Sequence, residues 1–438
     1  MKKMKWSYGS LIAFVLFISS LVSAQVLNVD CSGTNPDPTV FPSITAALAN
    51  VAGPGATILV GNAPCRENVY IGGLYNFSLG AYWGQTATIY GNLSINSSDN
   101  VYLYGLNVTN AMGLGIDIVH SHPVILDSCS SNGNASDGLN ARTADIDLSN
   151  SNSFDNNGGS GINGSAYTVF NSGSMDISNN KGPGMFISGG GLFFNLGNTT
   201  ILNNAGDSGG SFGLVLHGAA KAQFGTCTGA NLIQGNQDGG VYLDENSEIS
   251  FWPCGSGITT IAGNGPVGIS AGYGSQVTLI NTQITGHAGP GVDLFGKSQL
   301  NIETASGQPS NLISQNGTAG DPRSAAIVVD GNSEAFLRGG QIKSNMGPAI
   351  LALVNSSADF TGVTFIGNSG GIISCDSSSY MVSDLADATH GVSVGCRTPH
   401  SLGNHRVAPF GHGNIPDLTA LRKKQAQYRA LAVPKKSH

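Results

Sequence analysis

Cations are scarce in this chain of 438 residues: between residues 25 and 396 it holds 8 Lys and Arg against 25 Asp and Glu, a net charge of −17. A body of that sign repels nucleic acid and other polyanions at long range, and it leaves few positive groups with which to hold a polymer of uronates. After Leu11–Val22 no apolar run approaches the ~18 residues that a membrane-crossing helix needs, which excludes a transmembrane segment in the mature chain. Zinc-ligand spacings, a phosphate-binding glycine loop and a nucleophile elbow are missing, and with them the enzyme classes that they mark. Aromatic residues make only 7 %, yet 40 % of the chain is apolar and those residues recur in phase, which excludes a disordered chain despite 63 glycines.

What is present begins with a leader. Lys2, Lys3 and Lys5, the apolar stretch Leu11–Val22 and the small residues Val22-Ser23-Ala24 read as a secretory signal over residues 1–24, with the mature chain starting near Gln25. Seven cysteines in an exported chain can oxidise, and their positions suggest local pairing of Cys31 with Cys65, Cys227 with Cys254 and Cys375 with Cys396. Cys129 is left over and reads as a buried thiol. The expected location is secreted or periplasmic. Residues 397–438 reverse the charge, with 8 basic residues against 1 acidic, and Pro416–Leu431 is expected to form a helix. That basic tail has the acidic body or an anionic envelope surface as its expected partner.

Between these ends lies a repeat. A small residue followed by an aliphatic one returns at Gly115-Ile116, Gly138-Leu139, Gly161-Ile162, Gly184-Met185, Gly213-Leu214, Gly240-Val241, Gly268-Ile269, Gly291-Val292, Ala326-Ile327, Ala349-Ile350 and Gly371-Ile372. The steps are 23, 23, 23, 29, 27, 28, 23, 35, 23 and 22 residues, a period that implies a solenoid whose turns bury their apolar faces against one another. Each unit splits into three short alternating segments, as in Gly161–Ser165, Tyr167–Asn171 and Ser174–Ser178, which predicts a triangular coil. Asn157, Asn180, Asn204, Asn236, Asn264, Asn316, Asn345 and Asn368 precede most anchors, with His287 once in their place. Asn tolerates a left-handed backbone and its amide can bond neighbours above and below, so the column predicts a structural ladder at one corner.

Upstream, Ser43 is a good N-cap, Ile44, Ala47, Leu48 and Val51 line one helical face, and Gly53-Pro54-Gly55 stops the helix before the strand Thr57–Val60. That helix is expected to plug the open end of the core, and residues 72–110 to supply two or three irregular turns. The helix, the Gly-Pro-Gly stop, the strand, the entry Arg66-Glu67-Asn68-Val69 and the Asn-x-x-Gly-Ile/Val turns resemble the right-handed parallel β-helix proteins of the pectin lyase-like superfamily over residues 41–375. The resemblance implies an all-β, right-handed parallel β-helix (a solenoid with three short strands per coil) over residues 25–396, with an N-terminal helical cap. It does not fix function, because that superfamily holds lyases, hydrolases, esterases, epimerases, adhesins and non-catalytic repeats. Polygalacturonase-like enzymes carry a paired Asp-Asp, a Gly-His-Gly and an Arg-Ile-Lys. Here no Asp-Asp occurs, Gly411-His412-Gly413 lies outside the repeats, and Gln341-Ile342-Lys343 lacks the arginine.

In such folds the active groove runs along one sheet, so the side chains that alternation turns outward on the anchored strands are the candidates. One outward column reads Asp117, Asn140, Asn163, Phe186, Val215, Tyr242, Ser270, Asp293, Val328, Leu351 and Ile373. The other reads Val119, Arg142, Ser165, Ser188, His217, Asp244, Gly272, Phe295, Asp330, Leu353 and Cys375. His217 and Asp244 fall on adjacent strands with Tyr242 beside Asp244, a carboxylate, imidazole and phenol that together suit general acid–base work on a sugar. Asp117, Asn140, Arg142 and Asn163 form a polar patch for hydroxyls, Arg142 being the one cation on either column. No metal or organic cofactor is expected. Asp244-Glu-Asn-Ser-Glu and Asp330-Gly-Asn-Ser-Glu offer turn oxygens to Ca²⁺ but lack a full ligand set. Nine Asn-x-Ser/Thr sequons matter only in a glycosylating host.

The leading expectation is a non-catalytic scaffold that binds a polysaccharide or cell-surface glycan. The alternative is a polysaccharide lyase or epimerase working through His217, Tyr242, Asp244 and Arg142. Phe295, Val328, Leu351, Leu353 and Ile373 are apolar for outward positions, and the long segment before Ala326 or the tail helix is expected to cover them.

Overall fold

The computed structural model describes residues 25–206, 210–225, 229–252, 256–304, 310–321, 323–383 and 396. The expected leader, the tail helix and the Cys227–Cys254 pair lie outside them. Within them, successive turns of chain stack strand on strand with every pairing parallel, as in Ile116↔Leu139↔Ile162↔Met185. The anchored strands form one 13-stranded sheet that starts at Val69–Gly72 and ends at Ile373–Cys375. The remaining strands form a second and a third face. These join into one 26-stranded sheet because Asp145–Ser153 and Val169–Ser178 run unbroken round the corner between them. Right-twisted strands linked by parallel crossovers close in the right-handed sense. The coil is triangular, as expected, although these two rungs merge the two segments that alternation alone would separate.

The interior is a set of aliphatic columns. Along the anchored sheet the inward residues run from Val69 and Leu93 through Ile162, Leu214 and Ile269 to Ile350, each at most 1 % exposed. Burying each such side chain contributes about 1.5–3 kcal/mol. On the second face Phe193, Phe224 and Phe251 stack inside with ring centres 5.3 Å apart. The repeat begins two rungs before the glycines announce it, because Asn68 and Asn92 stand where later rungs have glycine and register joins Val69, Leu93 and Ile116. The final anchor is displaced by one residue. Ile350 pairs with Ile373, so Ile373 and Cys375 point inward, and Ser374, not Ile373, continues the outward column.

Each corner of the triangle is closed by a polar ladder. At the corner leading into the anchored sheet, Asn204 illustrates the rule. Its Oδ1 accepts from the Asn180 backbone N–H and from Asn180 Nδ2, both at 3.0 Å, and its Nδ2 donates to Asn236 Oδ1 at 2.8 Å. The expected column therefore bonds as a ladder, and Asn134, not foreseen, joins it through Asn157. Where the chain leaves the anchored sheet, buried serines repeat the device. The N–H groups of Ser298, Ser333 and Ser356 donate to the hydroxyls of Ser333, Ser356 and Ser379 on the next rungs. At the third corner Asn152 accepts from the Cys129 N–H, Asn231 from the Thr199 N–H and Asn311 from the Thr282 N–H. A buried N–H without a partner costs about 1–3 kcal/mol, so the ladders are what allow tight corners inside the stack.

The amino end is closed by the helix Ile44–Leu48, packed on the strands Val26–Val29, Thr57–Val60 and Val69–Gly72. Ser43 Oγ accepts from the Ala46 N–H at 3.0 Å, and Glu67 accepts from the N–H groups of Ile44 and Thr45 at 2.7 and 3.0 Å. The entry sequence around Glu67 is therefore the helix cap. The helix stops at Leu48, short of Val51, and Gly55 turns the chain with φ of +84°. Cys31 pairs with Cys65 and Cys375 with Cys396, while Cys129 is free and buried, its thiol pushed up to about 12 by desolvation.

Replacing Asn204 with Ala orphans the Asn180 N–H and is expected to cost about 1–3 kcal/mol for that group alone, read as a lower midpoint in denaturant. His287 puts a buried ring into the ladder, with Nδ1 3.2 Å from the Asn264 carbonyl and Nε2 3.1 Å from that of Ile261. Burial lowers its pKa against the pull of those two carbonyls. A folded pKa below the unfolded value near 6.5 gives stability that is full above pH 6.5 and lost as the pH falls through the folded value. His287→Asn should flatten the fall in melting temperature between pH 7 and pH 5.

Candidate functional site

Alternation holds along strands such as Ile116–Val119, Leu139–Arg142 and Met185–Ser188, whose burial reads in-out-in-out, so the outward columns run as sequence order implies except at their last members, Ile373 and Cys375. His217 stands at the end of Phe212–His217, directly above Ser188. The next strand, Gly239–Leu243, keeps register through Leu216↔Leu243, which sets Asp244 over His217 despite the longer turns on both sides. His217 Nδ1 lies 2.7 Å from Asp244 Oδ1 and Nε2 lies 3.7 Å from Glu245 Oε2. The pKa of the Tyr242 phenol is raised by burial first and by the Asp244 charge second. The imidazole is 43 % exposed and the Asp244 side chain 15 %, so the acid is the sheltered partner and the ring faces solvent.

His217 thus contacts Asp244 directly, and Tyr242 has the same carboxylate as a charged neighbour. Asp244 orients the imidazole through Nδ1, which leaves His217 Nε2 as the atom turned toward solvent and Glu245. Aromatic rings flank it. Phe212 tilts on Tyr242 at 5.3 Å, Phe186 stacks on His217 at 6.5 Å, and beyond them Tyr273 meets Phe295 edge-on at 5.5 Å. Glu245, Phe212 and Tyr273 were not foreseen. Glu245 lies in a turn at φ +50°, where alternation no longer predicts direction.

The polar patch does not assemble as one site. Asn140 Nδ2 donates to Asp117 Oδ1 at 2.8 Å, but Asn163 turns to Asp137, whose other oxygen accepts from the Ser160 N–H. Arg142 is exposed, and three rungs separate it from His217, about 14 Å at the spacing of hydrogen-bonded strands. It cannot clamp a carboxylate at His217.

Further along, Val328 and Leu351 are buried with Ala325 in a small cluster of their own, against which Leu353 packs. Of the segment before Ala326, Ala325 belongs to that cluster, and the tail helix lies outside the described residues. From that segment Arg323 reaches Asp330 at 3.2 Å and Asp293 at 3.6 Å. Burial raises the Asp293 carboxyl pKa, Arg323 opposes the rise, and its Oδ1 is buried with no hydrogen-bond partner. The two turns considered for Ca²⁺ are corner turns. The Ser247 N–H donates to the Asp244 carbonyl, Ser333 Oγ donates to the Asp330 carbonyl, and the Asp244 and Asp330 carboxylates go to His217 and Arg323. A polar cavity of about 530 Å³, also not foreseen, is lined by Arg66, Glu67, Asn68, Tyr90 and Asn110, with the Arg66 guanidinium 4.7 Å above the Tyr90 ring.

With this geometry in place, comparison with known proteins adds the following. The model of the family described as right handed beta helix region matches residues 191–369. That match falls within the stacked strands of the parallel β-helix. Among solved structures the chain is similar to the A-module of the mannuronan C-5 epimerase AlgE6 of Azotobacter vinelandii, at 13 % identity over 77 % of this chain and 93 % of that one, with a TM-score of 0.27. It is also similar to the family 28 exopolygalacturonase of Yersinia enterocolitica, at 11 % identity over 84 % and 79 %, with a TM-score of 0.32. The Agl-KA catalytic domain shows 11 % identity over 77 % and 64 %, with a TM-score of 0.30. No curated protein matches the sequence. Likeness at these levels transfers no residue role.

Removing the Arg323 cation leaves Asp293 and Asp330 uncompensated. The raised folded pKa of Asp293 gives stability that is full below its unfolded value near 3.8 and lost as the pH rises through the folded value. Arg323→Ala should therefore lower the melting temperature at pH 7, by about 2–4 °C for each kcal/mol lost. The loss should be smaller near pH 4.

Proposed function

We infer that the protein is an exported, non-catalytic scaffold that binds a glycan along the outward face of the anchored sheet. The observation that supports this most is the face around His217. Five aromatic rings, Phe186, Phe212, Tyr242, Tyr273 and Phe295, lie along it, interleaved with the His217–Asp244 pair, Glu245 and Ser270. Rings of this kind offer flat apolar area to sugar faces while the polar groups between them bond hydroxyls. The chemistry favours binding over turnover. Elimination from a uronate needs a base together with a cation that neutralises the carboxylate. Near His217 the charged neighbours are Asp244 and Glu245, while Arg142 is too distant and Lys221 is paired with Glu248 at 2.7 Å. The Cys31–Cys65 disulfide suits an oxidising, extracytoplasmic compartment, and no helix among the described residues is long and apolar enough to cross a membrane.

A second reading keeps one specific observation. An imidazole fixed through Nδ1 by a carboxylate, with Nε2 toward solvent, is competent as a general base, and Tyr242 stands ready as the acid of a lyase or epimerase. One experiment separates the two. On a glycan array followed by titration calorimetry, Tyr242→Ala and Tyr273→Ala should each weaken the bound glycan about tenfold, the effect of losing one stacking ring. Reducing-sugar release and unsaturated-uronate absorbance should stay at the level of His217→Ala. Turnover that disappears in His217→Ala would establish the enzyme instead.

A further inference from the structure

We propose that the second face, near its amino end, carries a separate platform for neutral sugar rings built from Trp83, Tyr102 and Tyr104. Tyr102 and Tyr104 alternate outward on the strand Asp99–Tyr104, with ring centres 5.2 Å apart and planes 26° from parallel. On the neighbouring strand Gly80 lies opposite Tyr104, and a Cβ there would come within 2.5 Å of the ring, so the absent side chain lets Tyr104 lie flat on the backbone beneath it. The Tyr102 phenol donates to Asp127 Oδ2 at 2.7 Å, and Asp127 is itself held by Asn150 Nδ2 at 2.6 Å and Ser128 Oγ at 2.9 Å. The ring orientations are thus set by the fold before any ligand arrives. Trp83 follows in the turn after the Gly80 strand and is 98 % exposed. An indole carries about 150–250 Å² of surface to bury, and the solenoid gains nothing from it in this position.

The charge of the surroundings selects the ligand. The first five strands of this face, Val26–Val29, Thr57–Val60, Tyr75–Ala81, Asp99–Tyr104 and Val124–Asp127, contain no Lys or Arg. Asp127 lies beside Tyr102, and the charge of Asp30, after burial, raises the pKa of Tyr82 next to Trp83. A polyuronate or sulfated glycan meets repulsion there. The apolar C–H face of an uncharged pyranose stacks on the rings, and its hydroxyls reach the carboxylate and amide at the edge. This platform stands on a different face from His217 and does not depend on the anchored-sheet reading.

The test uses the full chain, with soluble neutral β-glucan, mannan and xylan in native affinity gels and polygalacturonate as the anionic counterpart. Quenching of tryptophan fluorescence that is present in the wild type and lost in Trp83→Ala reports contact at the platform. At least one neutral glycan should retard the protein. Trp83→Ala and Tyr104→Ala should each weaken that binding about tenfold. Trp83 supports nothing in the fold, so its variant keeps the wild-type melting temperature and covers the case in which Tyr104→Ala misfolds. Equal retardation of Trp83→Ala and wild type, retardation by polygalacturonate as strong as by the neutral glycans, or no retardation by any neutral glycan would each overturn the proposal.

Discussion

The corners govern this molecule. A parallel stack satisfies its strand N–H and C=O groups automatically, but each rung must turn three times, and a tight turn buries backbone donors that strand pairing does not reach. The chain answers with side chains that bond to the next rung: asparagine at one corner, serine at another, and a mixture of asparagine and threonine at the third. Where the ladders are unbroken a residue takes its neighbour's N–H, so a rung is complete only when the following rung is in place; the Ser247 and Ser275 hydroxyls interrupt the serine ladder, buried without a hydrogen-bond partner. The aliphatic columns supply the larger share of the free energy, and the ladders fix the register in which those columns can form.

That division explains how much could be read beforehand. Glycine anchors, in-phase aliphatics and the asparagine column are one-residue signals repeated many times, so they survive insertions and predicted the coil, the inward columns and the His217–Asp244 contact. The serine ladder is built from a residue common everywhere in this chain, and its column is interrupted by Ala144, Thr168, Gly191 and Ala220, which hides the period. The last rung misled because Gly371 resembles earlier anchors, whereas its φ of +82° marks a turn and pairing resumes one residue later, at Ile373.

Direction on a strand is legible from alternation, but the length and reach of polar side chains are not. Asn163 points outward as expected and still leaves its patch, because its Nδ2 donates to Asp137, on the corner before the preceding rung's strand. Glu245 and Arg323 sit in a turn and in an insertion, where no period fixes geometry. Both nevertheless decide the electrostatics of the anchored face, Glu245 by adding a second acid beside His217 and Arg323 by being consumed between two aspartates.

The same constraint limits where function can be written. Inward positions belong to the columns and corners belong to the ladders, so variation is free only at outward strand positions and in insertions. On the anchored sheet those positions became acidic and aromatic, and on the second face the amino-terminal ones became aromatic over glycine. Around His217 the cation Lys221 is paired with Glu248, and the amino-terminal strands of the second face carry no cation, so the sign of the body, set across many rungs, reaches both places as a bias against anionic ligands. A solenoid cannot easily escape that bias with a single substitution. One new arginine on an outward column lies within a rung or two of several carboxylates and is drawn into pairing with them, as Arg323 is with Asp293 and Asp330 and Arg338 is with Asp359.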